Sequence, residues 1–204
     1  MMNLILVALL SYLCGSIPFG LILTKFFSKV DIRKVGSGNI GTTNVLRTGN
    51  KFLAFSTLIL DVLKGFVPVA ITIKIFPEFI YFSALIAFLA HLFPIWIKFK
   101  GGKGVATYLG ILFAISLELA FLFIFTWLVV SLIFRYSSVS SMFSSLTIFV
   151  VTVVKDYALR SINPDTIVLI DLKLILFIFF VLILFTHRKN IYNLKNKSEQ
   201  KIKL

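Results

Sequence analysis

The stretch LILVALLSYLCGSIPFGLILTKFF, residues 4–27, decides the class of fold. It is apolar almost throughout and exceeds the roughly 20 apolar residues that an α-helix needs to cross a bilayer. No Lys or Arg precedes it and it contains no small-residue cleavage site, which distinguishes it from a secretory signal peptide. We therefore predict a retained membrane-spanning helix at the start of the chain.

Apolar stretches of this kind recur along the whole sequence. Of the 204 residues, 59% are hydrophobic and 23 are Phe, and the mean hydropathy is +1.01, whereas a soluble domain is about 45–50% apolar. The sequence thus predicts an all-α, polytopic integral membrane protein with seven transmembrane helices. It is expected to form a single domain, residues 1–204, that ends in a short basic tail, residues 186–204. The predicted spans are residues 4–27, 52–73, 79–96, 105–116, 119–134, 139–154 and 172–185.

The number of spans depends on the stretch from Val105 to Phe134. Its length of about thirty residues would give a single helix of about 45 Å, much longer than the hydrocarbon core of about 30 Å. A single helix would also leave Glu118 near the membrane centre, at a cost on the order of 3 kcal/mol. We therefore predict a turn at Glu118, which makes the number of spans odd.

Charge asymmetry predicts the orientation of the chain. With seven spans, the connections 1–2, 3–4 and 5–6 and the tail share one side. By the positive-inside rule this cation-rich side is cytoplasmic, so the N-terminus lies outside and the C-terminus in the cytoplasm. For the tail lysines alone, attraction to anionic lipid headgroups is the favoured interpretation. The rich side carries sixteen cations, Lys25, Lys29, Arg33, Lys34, Arg47, Lys51, Lys98, Lys100, Lys103, Arg135, Arg188, Lys189, Lys195, Lys197, Lys201 and Lys203, and the other side four, Lys74, Lys155, Arg160 and Lys173.

Two short glycine-rich loops, VGSGNIGTTNVLR (residues 35–47) and KFKGGKGVAT (residues 98–107), interrupt the apolar runs. Glycine lets successive backbone N–H groups converge on an anion, and each loop adds a cation. The second loop also precedes a predicted helix start, where the dipole favours an anion, but it does not match a Walker A motif. The alternative for each loop is a tight turn at the membrane surface. We predict phosphate binding by Gly36, Ser37, Gly38, Asn39, Gly41, Thr43, Asn44 and Arg47 in the first loop, and by Gly101, Gly102, Lys103 and Gly104 in the second.

Further polar residues lie near the inner ends of predicted helices. His91, and His187 with Asn190 one turn later, are candidates for substrate contact or catalysis, and a structural hydrogen-bonding role is equally open. Ser138 and Ser141 lie one turn apart at a predicted helix start, where capping and helix packing are the favoured interpretation.

Two features lie within the predicted spans themselves. Asp61 and Lys64, at positions i and i+3, should face each other, either as a functional pair or as a buried structural pair. The single Cys14 excludes an internal disulfide and leaves no thiol metal site. We expect no metal and no cofactor.

Six segments together resemble a known family nearly end to end. The resemblance is to the bacterial acyl-phosphate-dependent glycerol-3-phosphate acyltransferases of the PlsY type. It implies a seven-helix integral enzyme that moves a fatty acyl group from acyl phosphate to the 1-hydroxyl of sn-glycerol 3-phosphate. Lysophosphatidic acid and phosphate are the implied products, in the first step of phospholipid biosynthesis. The segments are GSIPFG (15–20), DIRKVGSGNIGTTNVLR (31–47), DVLKG (61–65), H-x-F-P with FKGGKGVAT (91–107), RYSS (135–138) and HRKNI (187–191).

The resemblance also implies roles for individual residues. An acyl phosphate carries its own leaving group, so no nucleophilic side chain is required, and we expect the loops and the tail to converge on one pocket at the inner face. The chain departs from the family pattern at Ala90 and Lys197, where Gly is usual, and at Asn193, where Arg is usual. The last departure leaves a phosphate contact by the tail open. The implied catalytic residues are Ser37, Arg47, Lys103, Ser141, His187 and Asn190.

Other classes of function remain to be compared with the enzyme. A transporter or flippase for an organophosphate or lipid also needs anion sites, but no internal repeat is visible and the polar clusters lie at one surface. A non-enzymatic scaffold leaves the paired glycine loops unexplained. The enzyme is expected in the bacterial plasma (inner) membrane, facing the cytoplasm, as a monomer with other oligomeric states left open. Its expected partners are acyl phosphate, glycerol 3-phosphate and membrane lipids, with no nucleic acid.

Overall fold

A computed structural model describes residues 1–163 and 170–202, and Lys203 of the predicted basic side lies outside them. Every regular element in these residues is helical, which confirms the all-α class, and three single 3₁₀ turns cover Ile32–Lys34, Pro77–Phe79 and Ile95–Ile97. The α-helices are α1 (Met2–Ser16), α2 (Phe19–Ser28), α3 (Thr42–Leu46), α4 (Lys51–Ile75), α5 (Ile80–Leu92), α6 (Val105–Ile115), α7 (Leu117–Phe134), α8 (Ser137–Ile162), α9 (Ile170–Thr186) and α10 (Arg188–Lys195).

Helix length and composition support several membrane crossings. In the described part of the chain, four segments are long and apolar enough: Met2–Ser28, Pro77–Ile97, Leu117–Phe134 and Ser137–Ile162. The number rises to five if α9 and α10, which meet at a bend of 55°, form one span. Helices α4 and α6 coincide with two predicted spans but are not among these segments. The seven-helix count and the sides of the termini therefore stay predictions.

The first predicted span is broken at Ile17 and Pro18. Helix α1 ends at Ser16, Ile17 is extended with φ −64° and ψ 119°, and α2 begins at Phe19. Proline has no N–H to donate and restricts the residue before it to extended conformations, so the helix cannot continue through this dipeptide. The break gives α2 its own direction after α1.

A break between two helices lies near Glu118, where the sequence predicts a turn. Helix α6 ends at Ile115, Ser116 is extended, and α7 begins at Leu117, so the break lies two residues before the carboxylate. Glu118 falls in the first turn of α7, where the helix dipole favours an acid. Its exposed carboxylate lies 2.6 Å from Lys155 Nζ, so the charge is both solvated and paired.

The chain divides into two compact units, Met1–Leu117 and Glu118–Leu204. In the first unit, α4 and α6 touch backbone to backbone. A Cβ added at Gly65 would lie 2.2 Å from the carbonyl oxygen of Thr107, and one added at Gly110 would lie 1.9 Å from that of Val62. Two glycines, one on each helix, thus let the helices approach as small residues do in membrane bundles.

The second unit contains α7 to α10 and is held by polar contacts as well as apolar ones. The indole Nε1 of Trp127 in α7 donates to Ser141 Oγ in α8 at 3.2 Å. Asp156 in α8 is 4% exposed and pairs with Lys173 of α9 and with Arg160 one turn along its own helix. These contacts account for a carboxylate that would otherwise be buried without a partner.

Candidate active site

A bidentate ion pair between Arg33 and Asp31 precedes the first glycine loop. Arg33 donates from Nε to Asp31 Oδ1 at 2.9 Å and from its terminal nitrogen to Oδ2 at 2.6 Å, and the Arg33 amide also donates to Oδ1. The guanidinium therefore holds the pKa of Asp31 well below its usual range. Asp31 stays ionised and caps the 3₁₀ turn that leads into the loop.

Asn44 holds the interior of the first loop together. Its Nδ2 donates to the carbonyls of Ile32, Val35 and Asn39 at 3.1, 2.9 and 2.8 Å, and its Oδ1 accepts the amide of Ser37 at 3.0 Å. The residue is 2% exposed. The side-chain amide of Asn44 thus makes its hydrogen bonds within the loop, which is a different role from the predicted contact with phosphate.

Several backbone amides of the first loop also turn to acceptors inside it. The amide of Gly38 donates to the carbonyl of Val35, and that of Gly41 donates to Asn39 Oδ1 at 2.9 Å. By contrast, the side chains of Ser37, Thr43 and Arg47 are exposed. An anion at this loop would therefore be bound by these exposed side chains and not by the amides of Gly38 and Gly41.

The second glycine loop is built against the end of α5. The amides of Gly101 and Gly102 donate to the carbonyls of Leu92 and His91 at 3.0 and 3.2 Å. His91 is 3% exposed, and its Nδ1 lies 3.1 Å from Thr107 Oγ1 in α6. A Cβ added at Gly102 would lie 2.2 Å from His91 Nε2. His91 thus supports the loop from beneath, and its predicted contact with substrate stays a prediction.

Lys103 stands where the second loop enters α6. Gly104 precedes the helix with φ +83°, a left-handed conformation that suits glycine, and Tyr108 donates the first helical bond back to its carbonyl at 2.7 Å. The amides of the first helical turn precede that bond and have no acceptor within the helix. A cation and a helix N-terminus therefore lie together, which is an arrangement that favours phosphate.

Both loops rest on one hydrophobic cluster in the first unit. Ile40 and Val45 of the first loop and Ile32, just before it, are at most 3% exposed, and Ile97, just before the second loop, packs against them. Leu21 of α2 and Leu53 of α4 complete the contact. The two predicted phosphate-binding loops are therefore neighbours with a shared support.

In the second unit, His187 lies at the bend between α9 and α10. It is 2% exposed, and its Nδ1 lies 2.8 Å from the carbonyl oxygen of Ile183. Because a carbonyl can only accept, Nδ1 carries a proton and donates it to Ile183. The catalytic role of His187 stays a prediction, and the structure adds the hydrogen bond that orients its ring.

Glu199 connects three side chains of the second unit, a role that the sequence analysis did not predict. Its Oε1 accepts from Asn190 Nδ2 at 2.5 Å and from Ser138 Oγ at 3.1 Å, and its Oε2 accepts from Asn193 Nδ2 at 3.4 Å. The signal that could have revealed it is a single carboxylate in a tail rich in Lys and Arg. Asn190, predicted as catalytic, is thus oriented by a carboxylate.

Ser141, also predicted as catalytic, lies inside the α7–α8 contact. It is 2% exposed, donates to the carbonyl of Ser137 at 2.8 Å and accepts from Trp127. The packing role that was favoured for helix-start serines therefore describes its hydrogen bonds.

Comparison with known proteins defines the class of this chain. Residues 5–197 match the profile of the glycerol-3-phosphate acyltransferase family. The chain belongs to this family, as the resemblance implied. A glycerol-3-phosphate acyltransferase of Pelagibacter ubique is 52% identical over 203 residues, covering 100% of both chains. That of Mesorhizobium japonicum is 47% identical over 201 residues, covering 98% of this chain and 96% of its own.

Solved structures give the same result. The crystal structure of PlsY, described as an integral membrane glycerol 3-phosphate acyltransferase in its glycerol 3-phosphate form, matches with a TM-score of 0.88 and 34% identity, covering 98% of this chain and 96% of that one. Its lysophosphatidic acid form matches with a TM-score of 0.86, also at 34% identity, covering 98% and 95%. The chain is thus a multi-pass integral membrane protein of the PlsY type.

Proposed function

We propose that this protein transfers a fatty acyl group from acyl phosphate to the 1-hydroxyl of sn-glycerol 3-phosphate. The hydroxyl oxygen bonds to the acyl carbon, the bond from that carbon to the phosphate oxygen breaks, and lysophosphatidic acid and phosphate leave. The departing phosphate accepts the hydroxyl proton, so the step balances without a nucleophilic side chain or a cofactor. The observation that carries the proposal is the pair of cationic glycine loops on one hydrophobic support, in a chain of this family.

Each loop is proposed to hold one phosphate. Lys103 and the N-terminus of α6 form one phosphate-binding site. Arg47 forms the other with Ser37 and Thr43, since Arg binds phosphate oxygens bidentately and hydroxyl groups donate hydrogen bonds to them. Gly101 and Gly102 then act by letting the loop pack closely on α5, because their amides already donate to carbonyls. Two fixed phosphates would bring the hydroxyl to the acyl carbon in attack geometry.

His187 and Asn190 are proposed to orient the acceptor or to stabilise the oxyanion, whereas Ser141 is proposed to act from its buried position between α7 and α8, by positioning the neighbouring groups. The hydrogen bond from Nδ1 to Ile183 fixes the orientation of the His187 ring, and the bond to Glu199 fixes that of Asn190. We place the reaction at the cytoplasmic face of the bacterial inner membrane, where the positive-inside rule puts both loops.

A phosphate-release assay tests the function. Purified protein in detergent, without ATP, should release phosphate from acyl phosphate only when glycerol 3-phosphate is present. Lys103→Ala should lower turnover by at least about 100-fold, as expected for the loss of a group that stabilises transition-state charge. Lys74→Ala, in the exposed last turn of α4, is the matched control and should retain full turnover.

The same assay has two outcomes that would contradict the proposal. Turnover of Lys103→Ala at the control level would remove this lysine from the mechanism. Binding of both substrates by the wild-type protein with no product would indicate transport of an organophosphate or lipid.

A further inference from the structure

A buried ion pair lies in the middle of α4 and has no role in the reaction proposed above. Lys64 Nζ lies 2.7 Å from Asp61 Oδ1, and Asp61 is 2% and Lys64 4% exposed. Burying two charges costs about as much as their attraction returns, so apolar residues of similar size would often be at least as stable. Stability alone therefore does not explain the pair.

Lys64 also holds the break in the first span. Its Nζ donates to the carbonyl oxygen of Ile17 at 2.8 Å and lies 5.8 Å from the centre of the Phe19 ring. Ile17 and Phe19 flank Pro18, where α1 ends and α2 begins. One ammonium group thus contacts both sides of the break and fixes the direction in which α2 leaves it.

The direction of α2 sets the position of the first glycine loop. A Cβ added at Gly20 would lie 1.9 Å from the carbonyl oxygen of Ile40, so α2 and the loop touch through their backbones. Leu21, the next residue of α2, belongs to the hydrophobic cluster that contains Ile40 and Val45. A change of direction at the break would therefore move the loop.

The same turn of α4 leads to the second glycine loop. Gly65 follows Lys64 and packs against the backbone of Thr107. Thr107 Oγ1 lies 3.1 Å from His91 Nδ1, and the His91 ring lies directly beneath Gly102. A second chain of contacts thus connects α4 to the loop that carries Lys103.

We propose that Asp61 and Lys64 form a positioning pair that fixes the distance between the two glycine loops. This inference rests on the proposed function, in which each loop holds one reactant. Neither residue touches a reactant. Loss of the pair leaves each loop able to bind its own phosphate but disturbs their separation, so kcat falls while KM changes little.

Kinetics give the first test. Lys64→Met removes the cation but leaves the buried Asp61 carboxylate without its partner, which could prevent folding. The double variant Asp61→Asn/Lys64→Met removes both charges and so avoids this problem. Lys74→Met makes the same substitution at an exposed position of the same helix. We expect kcat to fall by about 100-fold in the first two variants, with KM for glycerol 3-phosphate near the wild-type value, because a misplacement of about 1 Å has that cost. The control should match the wild type.

Distances between the loops give the second test. Spin labels are attached at Leu46→Cys, next to the end of the first loop, and at Phe99→Cys, near the start of the second loop, in a Cys14→Ala background. Both positions are exposed, at 42% and 57%. Double electron–electron resonance should give one narrow distance in the wild type and in Lys74→Met. It should give a broadened or shifted distance in Lys64→Met and in the double variant.

These outcomes separate the two proposals. An unchanged distance in both pair variants, or a rise in KM with kcat intact, overturns the positioning role. The distance measurement needs no turnover. If the wild-type protein transfers no acyl group, the proposed function fails while the distances still decide whether the pair positions the loops.

Discussion

At the scale of single residues, Asn44 takes the place of regular secondary structure in the first glycine loop. A loop with several glycines has few backbone partners of its own, and three carbonyls converge where one primary amide can serve them. Buried carbonyls without such a partner would each lose a hydrogen bond that water cannot replace. The loop keeps its shape because the two N–H protons of this side chain are shared among the three carbonyls.

Asn44→Asp tests this role. The carboxylate keeps an acceptor for the Ser37 amide but places oxygen atoms against three carbonyls, so we expect a loss of about 1–3 kcal/mol for each buried group left unsatisfied. The melting temperature in detergent should fall by several degrees. Asn50→Asp is the matched control, because Asn50 accepts the Leu53 amide as the cap of α4, where Asp serves equally well. Equal melting temperatures for the two variants would contradict the role of Asn44.

At the scale of elements, the tail of the second unit folds back on the start of α8. Besides the bonds to Glu199, the amide of Ile202 donates to the carbonyl of Arg135 at 2.7 Å, and Lys201 Nζ lies 5.8 Å from the centre of the Tyr136 ring. The short helix α10 lies between these contacts and the bend at His187. One carboxylate thus holds an element that is too short to be stable alone.

Glu199→Ala should release this tail. A loss of about 1.4 kcal/mol in the free energy that holds the tail closed raises the fraction of molecules with an open tail about tenfold. A hydrogen bond to a charged carboxylate contributes more than that amount. Trypsin should therefore cut after Lys195 and Lys197 about tenfold faster than in the wild type, measured by mass spectrometry of timed digests. Glu78→Ala, at an exposed position before α5, is the control. Equal cutting in both variants would show that the tail is held by other contacts.

The elements were also the part of the fold that the sequence predicted best. Apolar runs bounded by charges predicted the helices, and the cost of a carboxylate inside the membrane predicted the turn next to Glu118. The break at Ile17 was missed because the residues on both sides are equally apolar, so periodicity and hydropathy do not change there. Its cause, Pro18, was visible in the sequence.

The candidate site was predicted less completely than the helices. Glycine spacing marked both loops, but it could not show that the amides of Gly101 and Gly102 donate to α5, since those acceptors lie about ten residues away in the chain. Burial of Ser141 and the partners of Glu199 depend on which helices pack together. Such contacts are long-range and leave no local pattern.

At the scale of the whole molecule, the number of crossings decides on which side each loop lies. Seven crossings place Met2 outside and Lys201 in the cytoplasm, whereas an even number places both on one side. In a Cys14→Ala background, a single Cys at residue 2 should react with an impermeant maleimide in intact spheroplasts. A single Cys at residue 201, or at 99, should react only after permeabilisation. Labelling of residues 2 and 201 from the same side would disprove the odd number of spans.

The contact between α4 and α6 at Gly65 and Gly110 determines how these two helices respond to bilayers of different thickness. Where two backbones touch with no side chain between them, neither helix can slide or rotate past the other without a collision. A bilayer that thins or thickens must therefore tilt the two together. Lys103 at the start of α6 would then keep its height relative to the middle of α4, and lipid composition would change the depth of this helix pair in the leaflet without changing the spacing between its two helices.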